Sequence, residues 1–421
     1  MGDSEAAQRA YVERAAERRV QDERLATTKS LRRRRAGLTT GAVVVFLLVV
    51  VGLSAGVRAL GHREASQRLA AQVRPLARFV ERQRGLVFTA PVHVRLVSPT
   101  AFGQMESPYA TALGQKFTAI YPTLFPLGLF GPNFDSDQAA RANVDHVDGL
   151  YDKGQITVIG TAWTPNVRRA VVHELTHALD DQRFGLSTVR QRALCPRGCW
   201  PVDGLIEGDA IVVERAYIAS LPNTDQLQIQ AATQSFLATA AHQDATTRTI
   251  FGFAYDYGPP FVQRLIAAGG QRRINQAFAD PPRIDSEVIH PERYLDPEQH
   301  RFAYYDALGF ISPPTPIGPV HGQVSKPFIL GEPLIRLLLS EVTSPDQAAA
   351  LAATSQEGGE WVTWWDGNRY CAAGHMVADP IDTNPQLQNA FTTWAANKLG
   401  ITIDTSVGVN IQACRQPPPP G

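Results

Sequence analysis

The sequence predicts a mixed α+β fold whose C-terminal part is mainly helical, and two observations favour it. Short alternating or apolar stretches bounded by turn residues, at 92–97 and 149–160, have the pattern of β-strands. Longer stretches with helical spacing or helix-capping residues are more numerous, at 165–183, 202–220, 225–247, 258–268, 330–342 and 384–399. With 421 residues, 44% of them hydrophobic, the chain can form one large core or several domains.

Charge is balanced over the whole chain but not along it. Forty Lys and Arg residues face forty Asp and Glu residues, so the chain lacks the excess positive charge of a nucleic-acid binder, and we expect no such partner. Residues 1–36 carry ten basic and six acidic residues and are predicted to form a basic tail. Residues 416–421 contain four consecutive prolines and are predicted to form a short extended tail.

An uncharged segment of 22 residues separates Arg35 from Arg58. As a helix it would be about 33 Å long, close to the hydrocarbon thickness of a membrane, so we predict a transmembrane helix at 37–57. A cleaved signal peptide, with small residues at 54–56 near the cleavage site, and a buried core helix are the alternatives. Four arginines at 32–35 precede the segment and predict a cytoplasmic N-terminus.

This topology predicts a single-pass protein of the cell membrane. Residues 58–88 have a helix-forming composition and are predicted to form a helical stalk, and 89–415 are predicted to form the extracytoplasmic domain. All four cysteines lie in that domain, where an oxidising exterior permits disulfides. We expect the pairs Cys195–Cys199 and Cys371–Cys414, with metal binding by the first pair as the alternative.

The stretch His173-Glu174-Leu175-Thr176-His177 is the main functional signal. It lies in the predicted helix 165–183, for which Thr164 is the N-cap, Pro165 the first helical residue and Gly185 the stop. Residues four apart share one helix face, so both imidazoles can bind one metal ion. Glu174 then lies beside the place of a metal-bound water and is a candidate general base. Two unrelated surface histidines are the alternative.

A catalytic zinc ion needs a third protein ligand and an open position for water. We expect Glu207 as that ligand, because it lies on the apolar helix 202–220, where a buried carboxylate requires a partner. A solvent-facing Glu207 is the alternative. The rival candidates for the third ligand are Asp209, Glu214 and His146. Glu214 could instead support a ligand from the outer coordination sphere, and Asp180 or Asp181 could accept a hydrogen bond from a ligand histidine.

Two stretches, 172–182 (VHELTHALDDQ) and 207–210 (EGDA), resemble a bacterial group of HExxH zinc metallopeptidases of the gluzincin, thermolysin-like kind. The resemblance covers about 90–400. It implies a zincin-like domain, Zn²⁺ bound by His173, His177 and Glu207, and a peptide or protein substrate. It also implies that the substrate lies along an edge strand before the metal helix, which corresponds in position to 155–160. The insertion at 195–199 departs from the group by lengthening the gap before Glu207.

The expected reaction is attack of a metal-activated water on a peptide carbonyl, with Glu174 as general base and then general acid. The oxyanion needs a donor besides the metal, and we expect His290 and Tyr294 in this role, with Tyr257 and Arg369 as further candidates. Two other functions stay open: a metallopeptidase-like binding or scaffold protein of the cell envelope with little turnover, and a zinc hydrolase of a cell-wall amide.

Overall fold

The computed structural model describes residues 56–417, with gaps at 145–146, 194–199, 241–242, 308–327 (except five positions), 356–358, 377–383, 397 and 407. The chain divides into two compact units, 1–69 and 70–421, and every feature of the site described below lies in the second unit. Its architecture is mixed α+β, with many helices and two small sheets, so the predicted general class is confirmed.

The predicted membrane localisation needs correction. Within the described part of the chain, no helix is both long enough and apolar enough to cross a membrane. Helix α1, Gly56–Arg84, is long, but charged residues recur along it. The predicted span at 37–57 lies outside the described residues except for its last two positions. Residues 70–84, predicted as part of a stalk, belong to the second unit, and their apolar stripe of Val73, Leu76 and Val80 is buried.

The first sheet has three strands: β1 (His93–Val97), β2 (Gly149–Asp152) and β3 (Gln155–Ile159). The predicted hairpin of β2 and β3 is confirmed, and its two-residue turn, Lys153-Gly154, has both residues at positive φ. The strand order is β1-β3-β2, with β1 parallel to β3. The prediction that 155–160 is an edge strand is therefore wrong, because β3 pairs with β2 on one side and with β1 on the other. The edge is β2.

Helices connect and follow this sheet. Two of them, α2 (Pro99–Leu124) and α3 (Ser136–Val144), lie between β1 and β2, in a region that the sequence pattern leaves unassigned. The helices that follow β3 are α4 (Pro165–Phe184), α5 (Leu186–Arg192), α6 (Trp200–Ala219), α7 (Asn223–Ala240), α8 (Ala245–Ala279), α9 (Asp285–Ile289), α10 (Pro291–Leu295), α11 (Pro297–Ala307), α12 (Glu332–Leu339) and α13 (Pro345–Ala352). Helix α6 packs against both α4 and α8.

The end of the chain forms a second sheet, so the prediction of a mainly helical C-terminal part is wrong beyond α13. Its strands are β4 (Phe328–Ile329), β5 (Glu360–Trp365), β6 (Tyr370–Met376), β7 (Ile401–Asp404) and β8 (Val409–Arg415), and one helix, α14 (Pro385–Ala396), lies between β6 and β7. The order is β4-β5-β6-β8-β7, all antiparallel. Strand β5 is buried at five of its six positions and β6 at five of seven, so the alternation that identifies a half-buried strand is missing.

The disulfide Cys371–Cys414 joins β6 to β8 between directly paired residues, as predicted. The other predicted pair, Cys195–Cys199, lies outside the described residues. One hydrophobic cluster joins the second sheet to α2, α12 and α14 and contains Trp361 and Trp394. Another joins α5, α6 and α8 and contains Leu205 and Phe261. The second cluster lies behind the candidate site.

Candidate metal centre

The metal-motif helix α4 forms as the sequence predicts. The hydroxyl of Thr164 accepts a hydrogen bond from the backbone N–H of Val167 (3.2 Å), and Pro165 supplies a preset φ at the first helical position. The helix ends at Gly185, whose φ of 67° favours glycine. Within these limits His173, Glu174 and His177 face inward on buried or half-buried turns of the helix.

The helix that carries Glu207 is fixed by a close contact between glycines. A Cβ atom on Gly208 would lie 2.4 Å from the carbonyl carbon of Gly258 in α8, and one on Gly258 would lie 2.3 Å from the carbonyl oxygen of Gly204. Helices α6 and α8 therefore touch backbone to backbone, which side chains at these positions would prevent. The helix predicted at 258–268 is part of α8, which begins earlier, so the predicted start at 258 is wrong.

His173, His177 and Glu207 converge, and their ligand atoms all lie within 4.8 Å of one another. The Nε2 atoms of the two imidazoles are 3.1 Å apart, and Oε2 of Glu207 lies 3.2 Å from Nε2 of His173 and 3.6 Å from Nε2 of His177. Against the effect of burial, the two histidines hold the pKa of Glu207 well below its ordinary value. Two imidazoles and an ionised carboxylate thus share one small volume, which suits a divalent cation.

The carboxylate of Glu214 holds His173 at Nδ1, the ring nitrogen that is not in the metal group. Oε2 of Glu214 lies 3.0 Å from Nδ1 of His173, and Arg169 contacts the other oxygen of Glu214 (3.2 Å) and also Asp148. Although burial opposes it, the hydrogen bonds of His173 to Glu207 and Glu214 raise the pKa of that imidazole well above its ordinary value. Glu214 therefore fixes the ring so that Nε2 points into the metal group, the role of an outer-sphere carboxylate.

Glu174 is buried beside the metal group but does not belong to it. Its side chain packs on Gly149 of the edge strand β2, where a Cβ atom would lie 2.9 Å from Cγ and 3.0 Å from Oε1 of Glu174. Burial raises the pKa of Glu174 above its ordinary value, against the two nearby imidazoles. Strand β2 is also tied to α4 by Tyr151, whose hydroxyl donates to Asp181 (2.8 Å). One face of β2 thus packs beside the candidate base.

The predicted roles of Asp180, Asp181 and Asp209 are wrong. Asp181 accepts its hydrogen bonds from Tyr151 and from the backbone of Leu186. Asp180 and Asp209 are both buried against Arg84, which lies 2.9 Å from Oδ1 of Asp180 and 2.5 Å from Oδ2 of Asp209. Burial, with Asp209 adding to it, raises the pKa of Asp180 well above its ordinary value in spite of Arg84. His146, the remaining rival ligand, lies outside the described residues.

Two tyrosines beside the metal group were not predicted. Tyr255 lies on α8, three residues before the contact glycine Gly258, and half of its surface is exposed. The charge of Glu207, followed by burial and by Tyr109 and Glu174, raises the pKa of Tyr255 well above its ordinary value. Tyr109 on α2 also has more than half of its surface exposed, yet desolvation of its hydroxyl, together with the charges of Asp203 and Glu207, raises its pKa. Tyr255 belongs to the stretch YDYGPPF, whose glycine signals the close helix contact.

The predicted oxyanion donors make their hydrogen bonds elsewhere in the described part of the chain. Nε2 of His290 lies 2.9 and 3.1 Å from the oxygens of Glu332, and the buried Tyr294 donates to the backbone carbonyl of Asp280 (2.8 Å). The structure thus engages both side chains with other groups and, among the described residues, shows no contact of either with the metal group. The further candidates are also engaged, since Tyr257 accepts from Arg336 (3.4 Å) and Arg369 donates to Asp366 (2.9 Å) at the turn between β5 and β6.

The fold and site thus define a mixed α+β protein with a three-ligand group, His173, His177 and Glu207, that can bind a metal ion. No protein-family model matches this chain, and neither does any curated protein or solved structure. The function is therefore inferred from the residues of the site.

Proposed function

We propose that this protein is a zinc-dependent peptidase with a zincin-like, gluzincin-type site. The observation that carries the proposal is the position of Glu174, buried beside the converged His173, His177 and Glu207 but outside that group. A purely structural metal site has no need of a carboxylate at this place. The order of a small sheet with a hairpin, then the metal helix, then the helix with the third ligand supports the zincin-like interpretation.

The donor set fits zinc. Ligand atoms about 2.0–2.2 Å from a tetrahedral ion lie roughly 3.3–3.6 Å apart, and the three separations in the group are 3.1, 3.2 and 3.6 Å. Two imidazole nitrogens and one carboxylate oxygen are typical of catalytic zinc, whereas calcium and magnesium prefer oxygen ligands alone. Three protein ligands leave a fourth position for water or substrate.

When bound, the zinc ion would lower the pKa of a coordinated water and polarise the substrate carbonyl. Glu174 would serve as the general base that accepts a proton from the attacking water and as the general acid that returns it to the leaving amine. Glu214 holds the ring of His173 in the orientation that ligation requires. We expect the hydroxyl of Tyr255, a half-exposed residue whose pKa is raised by Glu207, to donate to the carbonyl oxygen as its charge develops.

The substrate backbone is expected to add to the free edge of the first sheet. Strand β2 pairs with β3 on one side only, and its other side has no strand among the described residues. Gly149 brings strand β2 against Glu174, and Tyr151 ties the strand to α4. A peptide that pairs with β2 would therefore extend past the candidate base, which is the β-augmentation mode of recognition.

The test compares variants of the zinc-loaded full-length chain on a mixed peptide library, with cleavage detected by mass spectrometry. Glu174→Gln should retain zinc and lose at least about 10²–10⁴-fold in rate, because an amide cannot accept and return a proton. Tyr255→Phe should lose roughly 10²-fold while keeping zinc, and Tyr257→Phe, two residues away and directed to Arg336, is its matched control.

Equal cleavage by the wild-type protein and Glu174→Gln would contradict the assignment of the base. An inactive wild-type protein that binds zinc fully would favour a metal-binding protein without turnover, or a hydrolase of a non-peptide amide. Chelation and zinc replacement separate both outcomes from a misfolded preparation.

A further inference from the structure

Arg84 connects the two helices that carry the proposed ligands. It is the last residue of α1, and its side chain has no exposed surface. Nη2 lies 2.9 Å from Asp180, three residues after His177 on α4, and Nε lies 2.5 Å from Asp209, two residues after Glu207 on α6. One planar guanidinium thus faces a carboxylate from each ligand helix.

The remaining nitrogen of Arg84 is directed to a third helix. Nη1 donates to Oε1 of Gln271 (2.8 Å) and Oδ1 of Asn275 (3.2 Å), both on α8, and the guanidinium lies 5.7 Å from the ring centroid of Phe278. Helix α8 is kinked at Gly269 and Gly270, so these partners lie on its second segment and Tyr255 on its first. The side chain of Arg84 therefore contacts both ligand helices and the second segment of α8.

Stability alone does not explain such a cluster. Removing three ionisable groups from water is costly, and well-packed apolar residues of similar size often stabilise a protein equally well or better. A buried arginine side chain instead fixes the geometry of its partners, because the guanidinium is planar and its donors have set directions. A shift of α4 along α6 would lengthen one ion pair and, since helices move as rigid units, would change the separation of His177 and Glu207 by a similar amount.

We propose that Arg84 is a positioning residue for the metal group, which sets the register of α4 against α6 and thereby the separation of Nε2 of His177 and Oε2 of Glu207, 3.6 Å in this structure. This inference rests on the proposed function, in that it takes these three residues as zinc ligands. The effect reaches the ion through Asp180 and Asp209, neither of which belongs to the ligand group.

Zinc affinity, measured by competition with a chromophoric chelator on the full-length chain, tests the proposal without any cleavage assay. Arg84→Lys keeps the positive charge but cannot contact both carboxylates and both amides at once. The triple variant Arg84→Met, Asp180→Asn, Asp209→Asn removes all charge from the cluster at similar volume. It is included because it should still fold if Arg84→Lys does not, so that zinc affinity can be measured in either case. Both should weaken zinc binding by about 10–100-fold, the usual effect of losing an outer-sphere partner.

Glu287→Gln is the matched control, because it removes a buried carboxylate that pairs with His300 on helices without zinc ligands. It should unfold more easily than the wild-type protein and bind zinc with unchanged affinity. Folded Arg84 variants with a dissociation constant within twofold of the wild-type value would overturn the inference, and so would a wild-type protein that binds no zinc. A zinc-binding wild-type protein that cleaves nothing would instead contradict the proposed function and leave the role of Arg84 standing.

Discussion

Replacing Gly149 by alanine tests whether Glu174 acts from the position that the structure shows. The new methyl group would lie 2.9 Å from Cγ and 3.0 Å from Oε1 of Glu174, about 0.5–1 Å closer than the optimal separation of such atoms. Glu174 must therefore move by a similar distance, since Gly149 lies within the β2 ladder. A misplacement of about 1 Å can cost roughly 10²-fold in rate, and we expect a 10- to 100-fold fall in kcat.

The assay pairs peptide cleavage with zinc titration. Zinc affinity should stay within twofold of the wild-type value, because none of the three ligands contacts the new methyl group closely. Gly131→Ala is the control, since a Cβ atom there meets no heavy atom within 4 Å and the backbone has no positive φ. Unchanged kcat in Gly149→Ala would refute the position of the base, and a parallel loss of zinc would show that the strand supports the metal group instead.

Three further predictions concern the metal, the disulfide and pH. His177→Ala and Glu207→Ala should each reduce zinc from about one ion per chain to almost none, by elemental analysis, whereas Asp225→Ala, which removes a partly exposed partner of Arg168, should retain it. Cys371→Ser opens a loop of 43 residues, so urea unfolding should show a loss of roughly 4 kcal/mol, and a loss under 1 kcal/mol would contradict this. Although burial opposes it, Asp280 and Glu287 raise the pKa of His300 to about 9. Stability from the protonated ring is therefore complete below pH about 6.5 and is lost as pH rises through 9, by about 1–2 kcal/mol once solvent screening of the exposed Asp280 is counted. His300→Gln should flatten that part of the pH profile of unfolding, and an unchanged profile would exclude His300 as its source.

The metal helix could be predicted from local sequence because its determinants are local. Thr164, Pro165 and Gly185 cap it, and the spacing of His173 and His177 places both on one face. Glu207 was predicted from the mismatch between a carboxylate and its apolar helix, and the structure brings it to the two histidines. These signals depend on a few neighbouring residues and can therefore be recognised without knowledge of the tertiary fold.

Pairings between distant segments could not be predicted in the same way. The central position of β3 depends on β1, which precedes it by more than 50 residues, and the second sheet joins strands separated by α14. Tyr255 lies near Glu207 only because Gly258 fits against Gly204 and Gly208. The partner of Asp180 is Arg84, 96 positions earlier in the chain. In each case the decisive contact joins segments that are far apart in the chain, and local sequence patterns do not identify the partner.

The glycine contact between α6 and α8 separates the stability of the fold from the spacing of the residues at the proposed site. At Gly204, Gly208 and Gly258 the two backbones meet directly, so the local distance between the helices does not depend on side-chain volume. Substitutions in the hydrophobic cluster around Leu205 and Phe261 can then change the free energy of unfolding while the spacing of Glu207 and Tyr255 stays the same. Substitutions of core residues should therefore leave the geometry of the proposed site unchanged, whereas a single added methyl group at the contact should alter it.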